Sequence, residues 1–222
     1  RIRDGIFLFD GHSYQLRFPE KHAIHGDVRN RPWKVEATLP SSASISFDSR
    51  NFADINFPFS LSATQNFQLS NNSLTVRCSI RNEGSTAMPA GCGFHPYFNR
   101  ALGGIDEEVL IRFKASGTYP FTGEIPLPTG PAVPLTKETN FITLRELGSP
   151  LDHCFADWER EAEMIWPRTN VKATLRASAT MSHLVLYSPA GKPFFAIEPQ
   201  TQMNDGFNFY SNGAPNTGVI EL

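Results

Sequence analysis

Residues 67–80 read Phe67-Gln68-Leu69-Ser70-Asn71-Asn72-Ser73-Leu74-Thr75-Val76-Arg77-Cys78-Ser79-Ile80. Apolar side chains take every second position on either side of Asn71-Asn72, and a period of two marks a strand with one buried face. Two such runs across a short Asn turn predict an antiparallel hairpin. The pattern recurs outward in both directions. Ile6-Phe7-Leu8-Phe9 runs into Asp10-Gly11, and Tyr14, Leu16 and Phe18 alternate beyond it, a second hairpin with a type I′ turn signal. Phe57, Phe59 and Leu61 alternate, as do Val109, Ile111 and Phe113. Leu184-Val185-Leu186-Tyr187 meets Pro189-Ala190-Gly191 and returns through Phe194-Phe195-Ala196-Ile197. Helical periodicity is poor throughout, and its best candidate is a short segment between Thr136 and Leu147. The predicted fold is all-β: a large antiparallel β-sandwich with little helix.

Composition agrees. The 222 residues include 16 glycines and 17 prolines, which suits many tight turns, and 40% of residues are hydrophobic, ample for a core. Pro120 to Pro134 reads as a long surface loop, since strand patterns of one character flank it. We therefore expect a single domain over residues 1–222. The formal charge of −2, with no basic block, argues against a nucleic-acid partner tracking phosphates. No apolar run approaches the ~20 residues of a membrane helix, and no signal-peptide core is evident, so no membrane association is expected. Three cysteines, Cys78, Cys92 and Cys154, form no CxxC pair and cannot close a disulfide framework, which points to the reducing cytoplasm.

The polar residues that could carry chemistry stand at strand ends. Glu198 directly follows Phe194-Phe195-Ala196-Ile197, and Pro199 should stop ladder pairing and take the chain out of the sheet. A partly desolvated carboxylate there is either a general base or a strand-end cap with its head in water. His95 sits between Phe94 and Pro96-Tyr97-Phe98, where a histidine serves as a proton donor and acceptor or as a hydrogen-bonded core residue. His22 and His25 lack a partner carboxylate or Cys motif, so no metal is expected. No GxSxG elbow, P-loop, HExxH or dinucleotide fingerprint is present, which removes the usual support for hydride transfer, NTP chemistry and zinc proteolysis.

Taken in order, these segments resemble the aldose 1-epimerase (galactose mutarotase) family. The opening Arg1-Ile2 with Gly5, Phe7, Asp10-Gly11, Tyr14 and Leu16 is similar to its early hairpin, and His25-Gly26 to its substrate-binding His-Gly. Gly93-Phe94-His95-Pro96-Tyr97-Phe98-Asn99 resembles the stretch holding its catalytic histidine. Leu151-Asp152-His153-Cys154-Phe155 resembles a sugar-contact segment, and Glu198-Pro199-Gln200-Thr201 with Asp205-Gly206-Phe207-Asn208 the segment of its catalytic glutamate. The chain departs from the family at Asp27, where a second Gly is common, and at Pro96. Family members usually carry further strands before Arg1 and after Ile220, so terminal strands of the sandwich are open to being absent here.

The resemblance implies an enzyme that interconverts α and β anomers of an aldohexose without a cofactor. Glu198 would take the C1 hydroxyl proton, His95 would protonate the ring oxygen, and Arg1, His25 and Asp152 would hold sugar hydroxyls. The five residues should meet in one cleft, with Glu198 and His95 several ångströms apart and the sugar between them. Hexose-6-phosphate epimerisation is the alternative, with Arg3, Arg29, Arg31 and Arg100 available for a phosphate. In an extended segment Arg29 and Arg31 would point the same way as a clamp, although Asp27 lies close enough to neutralise one. A non-catalytic carbohydrate-binding domain would not require a proton-transfer pair. A glycoside hydrolase would use Asp152 and Glu198 as two carboxylates.

Overall fold

The computed structural model describes residues 1–17, 22–105, 107–148 and 150–222. The chain divides into two compact units, Arg1–Ala90 with Glu221–Leu222, and Gly91–Ile220.

The first unit opens with the expected hairpin. Strands β1 (Ile6–Phe9) and β2 (His12–Gln15) pair antiparallel, with Phe9 opposite His12. Asp10 (φ 47) and Gly11 (φ 74) form the two-residue turn, and positive φ at both positions is what a type I′ turn requires. Phe18, which the sequence reading adds to this pattern, lies outside the described residues. Strands β3 (Lys34–Leu39), β4 (Ser42–Asp48), β5 (Leu61–Ser70) and β6 (Ser73–Asn82) form a four-stranded antiparallel sheet in sequence order. The Asn71-Asn72 hairpin is here, with Phe67 opposite Val76 and Leu69 opposite Leu74. Phe57 and Phe59 precede the strand in an irregular segment, where Phe57 stacks on Phe7 and Phe59 meets Phe9 edge-on. A short strand, β7 (Pro89–Ala90), ends the unit, and Leu222 exchanges both backbone hydrogen bonds with Met88.

The second unit is a sandwich in its own right. Its strands are β8 (Tyr97–Asn99), β9 (Leu110–Phe113), β10 (Gly117–Thr118), β11 (Arg145–Glu146), β12 (Leu151–Ala156), β13 (Glu161–Trp166), β14 (Val171–Arg176), β15 (His183–Ser188), β16 (Phe194–Gln200) and β17 (Ile220–Glu221), the last running into the first unit's tail. One sheet has the order β10-β12-β15-β16-β8 and the other β11-β9-β13-β14. Alternation decides what lies between them. Phe155, Leu184, Leu186, Phe195 and Ile197 from the first sheet pack on Ile111, Phe113, Met164 and Trp166 from the second in one buried cluster. Residues of the opposite parity on these strands, including Asp152, Val185 and Glu198, are left to the other face.

Helix is scarce. Among the described residues the α-helix is α1 (Gly206–Ser211), and no helix is long and apolar enough to cross a membrane. No helix forms between Thr136 and Leu147. The Thr136 N–H is taken by the Thr139 hydroxyl, the Phe141 carbonyl accepts from Phe113, and Arg145–Glu146 pair with β9. Phe141 is buried against Phe113, so strand-like pairing beside β9 outweighs a weak local helical preference.

Candidate active site

The register between β16 and β8 builds the centre of the site. Phe194 faces Asn99, Phe195 faces Phe98 and Ala196 faces Tyr97, while Gly93 bridges Gln200 further along. Between those pairs the same register sets Glu198 opposite His95. Pro199 does not take the chain out of the sheet as expected: β16 continues to Gln200, Pro199 pairs with Leu184, and its carbonyl accepts the Phe94 N–H at 2.9 Å. Proline removes a donor but keeps its acceptor, and the ladder needs only the acceptor at that step.

Directly opposed residues on one face bring their Cβ atoms to roughly 5 Å. Here Glu198 Oε1 lies 3.2 Å from His95 Nε2, an ion pair when the imidazole is protonated. The expected gap between the two is therefore absent. The reason is backbone register: strand neighbours at matching positions touch unless something separates them. The Glu198 side chain is 13% exposed, in line with the partly desolvated carboxylate read from its place in the strand. The His95 ring stacks on Tyr97 with centroids 4.5 Å apart.

Asp152 shares this face. It pairs with Tyr187, Tyr187 with Ala196, and Ala196 with Tyr97, so the four residues form one row across the sheet. The adjacent row is Cys154, Val185, Glu198 and His95. Strand spacing and rise put the Asp152 and Glu198 backbones about 12 Å apart. Cys154 is a poor nucleophile despite its position, since burial pushes its thiol up to about 12 and Sγ accepts from the Gln200 amide at 3.5 Å.

Two residues that the sequence reading passed over, His183 and Tyr119, lie on the same side of the sheet. His183 is 1% exposed and donates from Nδ1 to the Thr201 carbonyl at 2.9 Å, so its Nε2 accepts the Tyr119 hydroxyl at 2.9 Å. Burial holds this imidazole below its usual range and the phenol above its own. The resulting neutral network fixes Thr201 three residues beyond Glu198. Parity offered the one available signal: His183 alternates with Val185 and Tyr187.

Arg1 and His25 belong to the first unit. His25 has a positive φ of 67°, and its Nδ1 accepts from the Arg29 guanidinium at 2.6 Å. Arg29 and Arg31 do not sit on an extended segment, because Val28–Asn30 is a 3-10 turn. Arg31 is held by Asp27 at 3.0 Å and Asp54 at 2.6 Å, so Asp27 does engage one of the two arginines. In the second unit Arg100 is bound to Ser188 Oγ at 2.5 Å and to the Gly148 carbonyl. The structure thus brings His95, Glu198 and Asp152 onto one sheet face and places Arg1 and His25 in the other unit.

The second unit is thus an antiparallel sandwich that holds a carboxylate–imidazole pair on the sheet face turned away from its main core. The family model for aldose 1-epimerase matches residues 1–218, and the chain belongs to that family, which implies a sugar substrate. The Escherichia coli K12 protein YihR, itself uncharacterised, is 27% identical over 220 residues, covering 94% of this chain and 68% of YihR. A galactose mutarotase-like protein from Clostridium acetobutylicum shares the fold across the whole chain at 21% identity, with TM-score 0.83 and 72% of its own length covered. The aldose epimerase homologue from C. elegans does likewise at 19% identity, TM-score 0.80 and 74% coverage.

Proposed function

We propose that this chain, acting as one galactose-mutarotase-like domain, is an aldose 1-epimerase for neutral aldohexoses. The contact between Glu198 Oε1 and His95 Nε2 at 3.2 Å carries the reading, because it sets a base and an acid side by side for two oxygens on one carbon. Glu198 takes the C1 hydroxyl proton, and the released electron pair forms the aldehyde C=O as the bond from C1 to the ring oxygen breaks. His95 gives its proton to that oxygen. Rotation about C1–C2 presents the other aldehyde face, and both transfers then reverse. Every step is either a proton transfer between the sugar and one of these two side chains or an electron-pair shift within the sugar, so the reaction itself calls for no cofactor. Asp152 holds hydroxyls at the far end of the ring. Arg31 and Arg100 already have protein partners, which favours a neutral sugar over a phosphorylated one.

Polarimetry of freshly dissolved α-D-glucose, α-D-galactose and glucose 6-phosphate tests this reading. The expected outcome is saturable acceleration with a neutral hexose. Acceleration confined to glucose 6-phosphate would replace the substrate class, and no acceleration with any of the three would leave a binding domain.

A further inference from the structure

His95, two residues before the start of β8, has an aromatic neighbour in Tyr97, and its geometry bears on how the acid is aimed. Tyr97 lies two residues on, so the two side chains share a face. Their rings are 4.5 Å apart between centroids with an interplanar angle of 20°, the close end of the roughly 4.5–7 Å range for aromatic pairs. Tyr97 is anchored in turn, its backbone paired with Ala196 and its ring edge-on to Phe194 at 5.2 Å and 85°. The phenol oxygen stands 3.4 Å from His95 Nε2, at the long limit of a hydrogen bond, so the ring face is the stronger restraint.

We propose that Tyr97 is a positioning residue whose ring face holds the His95 imidazole with Nε2 turned to the Glu198 side during turnover. The proposal rests on the acid–base reading above. When Glu198 turns to the C1 hydroxyl, its 3.2 Å contact with Nε2 is given up. The stack on Tyr97 does not depend on that contact and persists, so the proton stays aimed at the ring oxygen. Misaiming an acid by about 1 Å can cost on the order of 10²-fold in rate.

The test compares Tyr97→Phe, Tyr97→Leu and Tyr97→Ala. Tyr97 is 56% exposed, so truncation opens no core cavity, and Tyr97→Leu keeps an apolar body should the alanine variant fail to fold. The phenylalanine variant should keep kcat within about threefold. The leucine and alanine variants should lose about tenfold or more in kcat, with KM within about threefold. Proton NMR supplies a readout separate from activity. The His95 Cε1–H resonance, assigned by its loss in His95→Asn, should be ring-current shifted upfield in the wild type and the phenylalanine variant and should return downfield in the other two. A folded alanine variant with wild-type kcat would overturn the proposal. A phenylalanine variant as slow as alanine would also overturn it, by making the hydroxyl the operative group. If the wild type showed the NMR shift but no catalysed mutarotation, the functional reading would fail and take the catalytic role of Tyr97 with it.

Discussion

Glu198 and His95 illustrate how much a single residue owes to its place in a strand. Glu198 is hydrophobic in its neighbours and polar in its head, and that contrast leaves a carboxylate only 13% exposed beside an imidazole. Glu198→Gln keeps shape and hydrogen-bonding reach but cannot accept a proton, so kcat in the polarimetric assay should fall by about 10² to 10⁴. His95→Asn should fall similarly, and the double variant should be little worse than the poorer single one, the outcome expected of the single transfer unit proposed above. Asp152→Asn should instead raise KM with kcat nearly unchanged, the mark of a contact made equally in ground and transition states. Cys154 supplies a control: its buried thiol, pushed up to about 12, should resist alkylation at pH 8 in the folded protein and react once unfolded.

The strands β16 and β8 set the geometry at the scale of elements, and their order in the sheet decides which side chains meet. Phe195 is fully buried on the core side of β16 and stacks on Phe98 of β8. Phe195→Ala should cost about 3–5 kcal/mol by urea unfolding, through lost burial and the cavity left behind. Gly218 keeps the segment after β16 in place. It has a φ of 73°, and a Cβ there would lie 1.9 Å from the Thr201 carbonyl oxygen. Gly218→Ala should therefore destabilise by more than about 1 kcal/mol, since both the left-handed backbone and the close approach resist a side chain. A smaller loss in the same urea experiment would show that the segment shifts to make room.

For the whole molecule, two histidines shielded from water add a pH-dependent term to stability on the acid side. Burial holds His183 and His153 below their ordinary value of 6.5 in the folded protein. Above that value both are neutral in either state and stability does not depend on them. As pH falls through 6.5, the unfolded chain takes up protons that the folded chain resists, so stability declines until the depressed folded values are reached. Each histidine contributes at most about 1.4 kcal/mol per pH unit across that window. The melting temperature should be flat with respect to these groups between pH 8 and 7 and should drop below 6.5. His183→Gln, whose amide can still donate to the Thr201 carbonyl, should reduce the slope. An unchanged slope would assign the acid loss to other groups.

Much of this was legible in the sequence, for a physical reason. Period-two alternation states which face of a strand is buried, so the strand segments, the Asp10-Gly11 and Asn71-Asn72 turns and the core positions of β9 could be read directly, whereas β15 and β16 read only as apolar runs. The order of five motifs pointed to the family, and the apolar run before Glu198 pointed to its burial. Alternation does not state which strands are neighbours. The contact between His95 and Glu198, the alignment of Asp152 with Tyr187, Ala196 and Tyr97, and the network of Tyr119, His183 and Thr201 each join residues far apart in the chain. Local preference also misplaced the helix: between Thr136 and Leu147 it lost to pairing beside β9, and α1 formed instead at Gly206–Ser211. Sequence alone determined the faces and the chemical groups on them. Register across the sheet, a non-local property of the backbone, decided which of those groups touch.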